Sequence, residues 1–308
     1  MDNRLHIIEG PIRLDAFAFL ATIQLIVPDI DNPDTIRAFG SGFLLIHKDR
    51  TFFITADHVV HLDDHDNNNE TGQRLKRDYV PQIITNVKVK NELASVNIPI
   101  GGFYHLTGFG FDRSDYNSNE EYLKTLDKIL EGSVDVSDET LPINVRIADL
   151  PDFAISEIKQ PFKIFPLSNL VAYDQNNIIV EEGTPKLFLS SDSITDFDSD
   201  RSYLVAGTVG NKLVNSVRLE RINVIHDNLK LDSINKEGIA YLKSDESPYL
   251  DHWSGLSGAP LFNDEGLLSG MLIRGPEDCP YASAIPITKI LHYIDLIIET
   301  ETEKNLLR

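Results

Sequence analysis

Cysteine is almost absent: Cys279 is the single thiol among 308 residues. One thiol excludes any disulfide within the chain and any cluster of thiolate ligands. It also fits a reducing compartment, so a cytoplasmic location is expected. Basic side chains are scarce beside acidic ones, 28 against 48, leaving a formal net charge of −20 with histidine neutral. Phosphate backbones and anionic lipid surfaces are bound through clustered cations, so neither nucleic acid nor membrane is an expected partner. Long apolar runs are missing too. The longest nearly apolar stretch, Ala16 to Val27, is broken by Thr22 and Gln24 and falls short of the roughly 20 residues of a spanning helix. It reads as a core strand. Asp2, Arg4, His6, Glu9 and Asp15 precede it, unlike the basic-then-apolar plan of a secretory leader, so export is not expected. No short-period repeat and no low-complexity tract occurs.

What remains is the mixture of an ordinary globular protein, 42% hydrophobic and 25% charged, long enough for one large core or two modest ones. Short apolar segments bounded by Asp, Asn, Pro and Gly predict strands at Ala21–Val27, Ala38–His47, Thr51–Thr55, Gln82–Val89, Ala94–Ile98 and within Val145–Ile158. A polar loop is expected from His61 to Asp78. The acidic stretch 109–140 reads as a surface insertion with a helix at Glu120–Leu130, because Tyr122, Leu123, Leu126 and Leu130 share one face. Lys159–Asn177 reads as a linker. A second series follows at Ile178–Val180, Pro185–Leu189, Tyr203–Val209, Val217–Ile225, Gly238–Leu242, Ala259–Phe262, Leu267–Ile273 and Ala282–Ile285. Ile290, Leu291, Ile294, Ile297 and Ile298 then mark an amphipathic helix over Ile287–Thr300, expected to dock on the second half. The reading is all-β, with two barrels or sandwiches packed together, 1–165 and 166–308.

Three segments carry chemistry. Gly255-Leu256-Ser257-Gly258-Ala259-Pro260 flanks a serine with glycines, which lets the turn present the hydroxyl and lets peptide N–H groups converge on one point. An ordinary Gly/Ser turn would look the same. Thr55-Ala56-Asp57-His58 ends a buried strand in a histidine, one of nine in the chain. Pro151-Asp152-Phe153-Ala154-Ile155 sets a carboxylate just before an apolar strand, a place where solvated acids are also common.

Together the three resemble the trypsin-like (chymotrypsin-fold) serine peptidases. Thr55–His58 is similar to that family's Thr-Ala-Ala-His, Asp152–Ile155 to its Asp-hydrophobic-Ala-hydrophobic motif, and Gly255–Pro260 to its Gly-x-Ser-Gly-Gly-Pro. The order His, Asp, Ser is the chymotrypsin-type one. Gly40-Ser41-Gly42-Phe43 resembles the Gly-x-Gly-Phe strand, and Ser283-Ala284-Ile285-Pro286 the Phe-Ala-Ile-Pro segment, of bacterial Deg-type members, without their appended peptide-binding domain.

The resemblance implies two antiparallel β-barrels, the first carrying His58 and Asp152, the second Ser257 and the closing helix. It also implies a role for each motif residue. Ser257 attacks the scissile carbonyl, His58 moves the proton, and Asp152 holds the imidazole in its productive tautomer. The N–H groups of Gly255 and Ser257 form the oxyanion hole, worth about 3 kcal/mol per donor. By analogy of spacing, Asp251, six residues before the serine, would favour a basic side chain at the cleavage site, although a loop aspartate in so acidic a chain needs no such purpose. Ile273 and Arg274 would flank the bound peptide. Leu256 replaces the aspartate that secreted trypsins pair with a new amino terminus, so activity should not depend on amino-terminal cleavage. Ala259 replaces a glycine.

No cofactor is called for, and no metal. His58, His61 and His65 with Asp63, Asp64 and Asp66 contain zinc-ligand types, but the string is loop-like and metal on His58 would consume the base. Asp196, Asp198 and Asp200 begin like a calcium loop, which fails at Arg201 and Gly207. Cys279 has no basic neighbour in sequence to activate it. The expected partner is a protein or peptide substrate. An endopeptidase inside its own cell implies gating, so a regulatory protein partner is expected too. The competing reading is a binding or scaffold protein that keeps the fold without turnover.

Overall fold

In a computed structural model of the protein, the residues described are 12–29, 32, 35–61, 80–90, 92–104, 152–159, 166–169, 171–174, 177–214, 218–236, 238–244, 252–276 and 279–306. The apolar run near the start is not one strand. Helix α1 occupies Leu14–Ala21 and strand β1 Ile23–Pro28. The sequence of α1, LDAFAFLA, lacks β-branched residues and is rich in Ala and Leu, the strong helix formers; β-branched Thr22 ends the helix and Ile23 begins the strand. Apolarity alone could not separate the two elements, because both are buried and neither alternates.

The first half is built on a seven-stranded sheet. Strands β2 (Ile36–His47), β3 (Arg50–Thr55), β4 (Gln82–Val89), β5 (Glu92–Pro99) and β6 (Ala154–Glu157) join β1 in the order β5-β4-β1-β2-β3-β6. Its described ladders do not close, but the chain beyond β5 returns to β6. Phe103 bridges to Ser156, Tyr104 N–H donates to the Ile155 carbonyl at 2.8 Å, and Ser156 Oγ donates to the Gly101 carbonyl at 2.6 Å. Both faces of the sheet are covered: Phe43, Leu45, Ile54, Phe153 and Ile155 on one side and Leu44 and Phe53 on the other are all fully buried.

Strands β7 (Ala172–Asp174) and β8 (Asn177–Val180) form a hairpin, and β9 (Phe188–Ser190) runs parallel to β2 within the first sheet. The first sheet thus takes one strand from beyond residue 165. The second half is a closed barrel of β10 (Ser202–Val214), β11 (Arg218–Ile234), β12 (Ala240–Lys243), β15 (Tyr281–Pro286), β14 (Leu268–Arg274) and β13 (Pro260–Asn263), all antiparallel. Its own core holds Tyr203, Val205, Leu229, Leu242, Trp253, Leu261 and Leu272.

A one-turn helix α2 (Asp57–Val60) follows β3, and α3 (Ile287–Leu306) closes the chain. Helix α3 does more than cap the second barrel. Ile287, Ile290 and Ile294 are buried, Tyr293 meets Phe153 edge to face at 5.0 Å, and Asp295 bonds His47 at 2.8 Å and Lys48 at 2.5 Å. Further along, Glu301 reaches Arg50 at 2.5 Å, which also holds Glu157. The helix joins both halves. The expected helix at 120–130, the 109–140 insertion and most of the 61–78 loop lie outside the described residues.

Candidate active site

His58 sits on α2, directly after the buried β3 strand, and its position is set by the sheet. β3 pairs with β6 in the register Thr55 to Ala154, which brings Asp152, two residues before β6, alongside the start of α2. Asp152 then holds His58 at two places. Its Oδ1 accepts from the His58 backbone N–H at 3.0 Å, and its carboxylate contacts ring Nδ1 at 2.8 and 2.9 Å. Holding Nδ1 against a carboxylate fixes the ring's orientation and leaves Nε2 as the nitrogen for proton transfer. The side chains are 31% and 27% exposed, so the pair is seated in the fold yet reachable from solvent. Immediately before His58, Asp57 is fully buried and bonds Nδ1 of His61, one turn on, at 2.8 Å, pinning α2 from the inside.

Ser257 lies on the turn that precedes β13. Gly255 and Gly258 have φ of +109° and +93°, the left-handed region where a side chain is strained. The turn is tied to the first half by one residue that the sequence reading did not single out, Ser41 of β2. Ser41 N–H donates to the Ser257 carbonyl and Ser41 Oγ to the Gly255 carbonyl, each at 2.8 Å. Thr55 Oγ1 in turn donates to the Ser41 carbonyl at 2.6 Å. A Cβ on Gly40 would strike Val59 at 2.6 Å and approach the Ser257 carbonyl at 3.2 Å. Val59 neighbours His58, so helix α2 and the serine turn flank the same glycine. The signal in the sequence was Gly-Ser-Gly itself, glycines for closeness and a hydroxyl between them.

Within the turn the N–H groups divide in two. Those of Leu256, Gly258 and Ala259 donate to the carbonyls of Trp253, Leu272 and Leu256. Those of Gly255 and Ser257 have no acceptor among the described residues. A trans peptide points its N–H opposite its carbonyl, so the Ala259-to-Leu256 bond aims the Ser257 N–H away from the turn. Two free N–H groups beside a hydroxyl can receive an oxyanion.

The hydroxyl itself does not meet the imidazole. Ser257 Oγ donates to the Ile273 carbonyl at 3.1 Å and makes no hydrogen bond to His58. The structure thus joins His58 to Asp152 and brings Ser257 to the same seam, with the last proton path open. Ile273 closes β14 and is buried, Arg274 is exposed at its end, and Asp251 lies outside the described residues. Trp253 packs where a Cβ of Gly275 would be, 2.3 Å from it, and stacks on His226 at 3.7 Å. His226 Nε2 in turn lies 2.8 Å from the His252 carbonyl, so these rings brace the segment entering the turn.

No family model matches the chain, and no curated protein does. Three solved structures similar to it are described as proteases. The serine endoprotease from Yersinia pestis matches at 15% identity and TM-score 0.40, over 94% of this chain and 68% of the other. Tobacco vein mottling virus protease matches at 8% identity and TM-score 0.41, over 92% and 83%. The MamO protease domain from Magnetospirillum magneticum, in its apo form, matches at 11% identity and TM-score 0.40, over 90% and 97%.

Proposed function

We propose that the protein is a serine endopeptidase of the trypsin-like kind, hydrolysing peptide bonds of a protein substrate in a reducing compartment such as the cytoplasm. The observation that carries this reading is Asp152 bonded to both the backbone and the ring of His58, with a serine turn at the same seam whose Gly255 and Ser257 N–H groups have no acceptor among the described residues. In the reaction, Ser257 Oγ leaves the Ile273 carbonyl, turns about χ1 to His58 Nε2, and attacks the substrate carbonyl as the imidazole takes its proton. The N–H groups of Gly255 and Ser257 receive the oxyanion, His58 protonates the leaving amine, and a water that gives its proton to His58 then cleaves the acyl ester, releasing the acid and returning the proton to Ser257 Oγ. The hydroxyl exchanges one neutral hydrogen bond for another, a change within the roughly 0.5–1.5 kcal/mol net worth of either. Substrate or a regulatory partner that occupies the end of β14 would complete the site, which makes the enzyme gated.

A second reading, a binding or scaffold protein without turnover, is favoured by the Ser257-to-Ile273 bond. A fluorophosphonate probe decides between them, with candidate substrate proteins added to open the gate. Labelling that is lost in Ser257→Ala supports the peptidase. Absence of labelling under every condition, with the fold intact, leaves the scaffold. Terminal mapping of cleaved proteins would then show whether Asp251 directs cleavage after basic residues.

A further inference from the structure

Between the first sheet and the second barrel lies a small recess with room for a single small guest; Phe19 and Gly207 line it together with the polar Thr22, Gln24, Ser41, Asn169, Lys186 and Thr208. Two of these side chains bring unspent donors. Lys186 is 5% exposed, and its Nζ gives two of its three N–H bonds to the carbonyls of Phe19 (2.8 Å) and Thr22 (2.5 Å). Asn169 is 8% exposed, and its Nδ2 has no partner among the described residues. The remaining polar groups with described bonds are already engaged. Thr22 Oγ1 faces the carbonyls of Ala18 and Ala206, Ser41 Oγ donates to Gly255, and Gln24 Oε1 accepts from Arg221, which also donates to the Asn169 carbonyl.

Among the described residues no carboxylate lines the recess. Glu182, which acts on Arg221, accepts a bond from Asn86 Nδ2 at 2.6 Å, so Lys186 sits beside a second cation with carbonyls alone as partners. A buried charge is stable when it is paired. A water placed here could accept from both donors but would bring no charge, whereas an anion accepts from both and supplies the charge that Lys186 and Arg221 lack.

We propose that this recess binds one monovalent anion of halide size, held by Lys186 Nζ and Asn169 Nδ2. Polyatomic anions such as phosphate exceed the space. The anion would sit directly behind Ser41, the residue that ties the Ser257 turn to the first sheet, and so would firm the seam whether or not Ser257 is a nucleophile.

The test uses the full chain. At constant ionic strength, replacing gluconate by chloride should raise the thermal unfolding midpoint along a saturable curve. Asn169→Leu and Lys186→Met should each weaken the fitted chloride affinity at least tenfold. Crystals grown in bromide should show anomalous scattering between Lys186 and Asn169. A midpoint indifferent to halide, or bromide-grown wild-type crystals with no anomalous peak in the recess, would mean that water fills it and would overturn the proposal. If Lys186→Met fails to fold, the wild-type bromide map and Asn169→Leu decide the matter alone. A labelling result at Ser257 bears on neither measurement.

Discussion

Replacing Gly258 by alanine places a methyl group where the seam between the halves has no space. A Cβ there would lie 1.9 Å from the Ser41 carbonyl oxygen and 2.7 Å from Thr55 Oγ1, and the φ of +93° is one that L-residues resist. The backbone strain alone amounts to about 1–2 kcal/mol. Relief of the clash requires the turn to lift off β2, which breaks the two bonds from Ser41 to the Gly255 and Ser257 carbonyls, each worth about 0.5–1.5 kcal/mol net. The expected loss of stability is therefore about 2–5 kcal/mol by urea unfolding, accompanied by loss of fluorophosphonate labelling, because the N–H groups of Gly255 and Ser257 move with the turn. Gly266→Ala is the control. Its φ is +80°, but the nearest atom to its Cβ, on Leu14, is 3.6 Å away, so it should cost the strain alone, about 1–2 kcal/mol. Equal losses in the two variants, or wild-type labelling of Gly258→Ala, would refute the account of how the turn is held.

Asp152→Asn should leave the fold intact while lowering the rate of probe labelling by about 10⁴-fold, the effect of stranding an imidazole in the wrong tautomer; a drop under tenfold would remove Asp152 from that role. Lys186 should give the stability curve a distinctive alkaline rise. Burial, with help from Arg221, depresses its pKa from 10.5 to about 7. The unfolded chain therefore binds the extra proton between those values, and stability climbs from about pH 7 towards 10.5, measured in a salt without halide. Lys186→Met should flatten that rise. In acid the slope has the same sign and another origin. Burial pushes Glu157 and Glu301 up, but the hydrogen bonds and charges of Arg50 and Lys159 outweigh it and hold both below their usual 4.5. Their contribution is present above pH 4.5 and drains away as pH falls through the folded values. Arg50→Ala should remove that part of the acid slope in urea titrations at stepped pH.

Most strands were legible because their apolar residues are short, bounded runs. Gln82–Val89 matches β4 as written, and Ala38–His47 misses β2 by its first two residues. The failure at Ala16–Val27 has a physical source. Where every side chain is buried, periodicity vanishes, and only the lack of β-branched residues before Thr22 distinguishes helix from strand. The His58–Asp152 pairing could be anticipated from motif resemblance and not from spacing, since 94 residues separate the two and only the β3–β6 register brings them together. Ser41 and Asp57 stand inside motifs that the sequence displays, but what they hold does not show there: the carbonyls of a distant turn for Ser41 and, for Asp57, a ring one helical turn on; the recess of Lys186, made by distant segments, leaves no local pattern at all. The resting bond from Ser257 to Ile273 is likewise a matter of rotamer, which sequence does not encode by itself.

The two bonds from Ser41 have a consequence for how the halves depend on one another. The reactive turn belongs by sequence to the closed barrel, yet its curvature is imposed from outside, by a strand it is not covalently near. A chain beginning after residue 165 could wind the barrel correctly and still present a slack, misaimed loop. By the same logic, widening the crevice by about one ångström would stretch both tethers at once, making the distance between the lobes a mechanical dial on the chemistry.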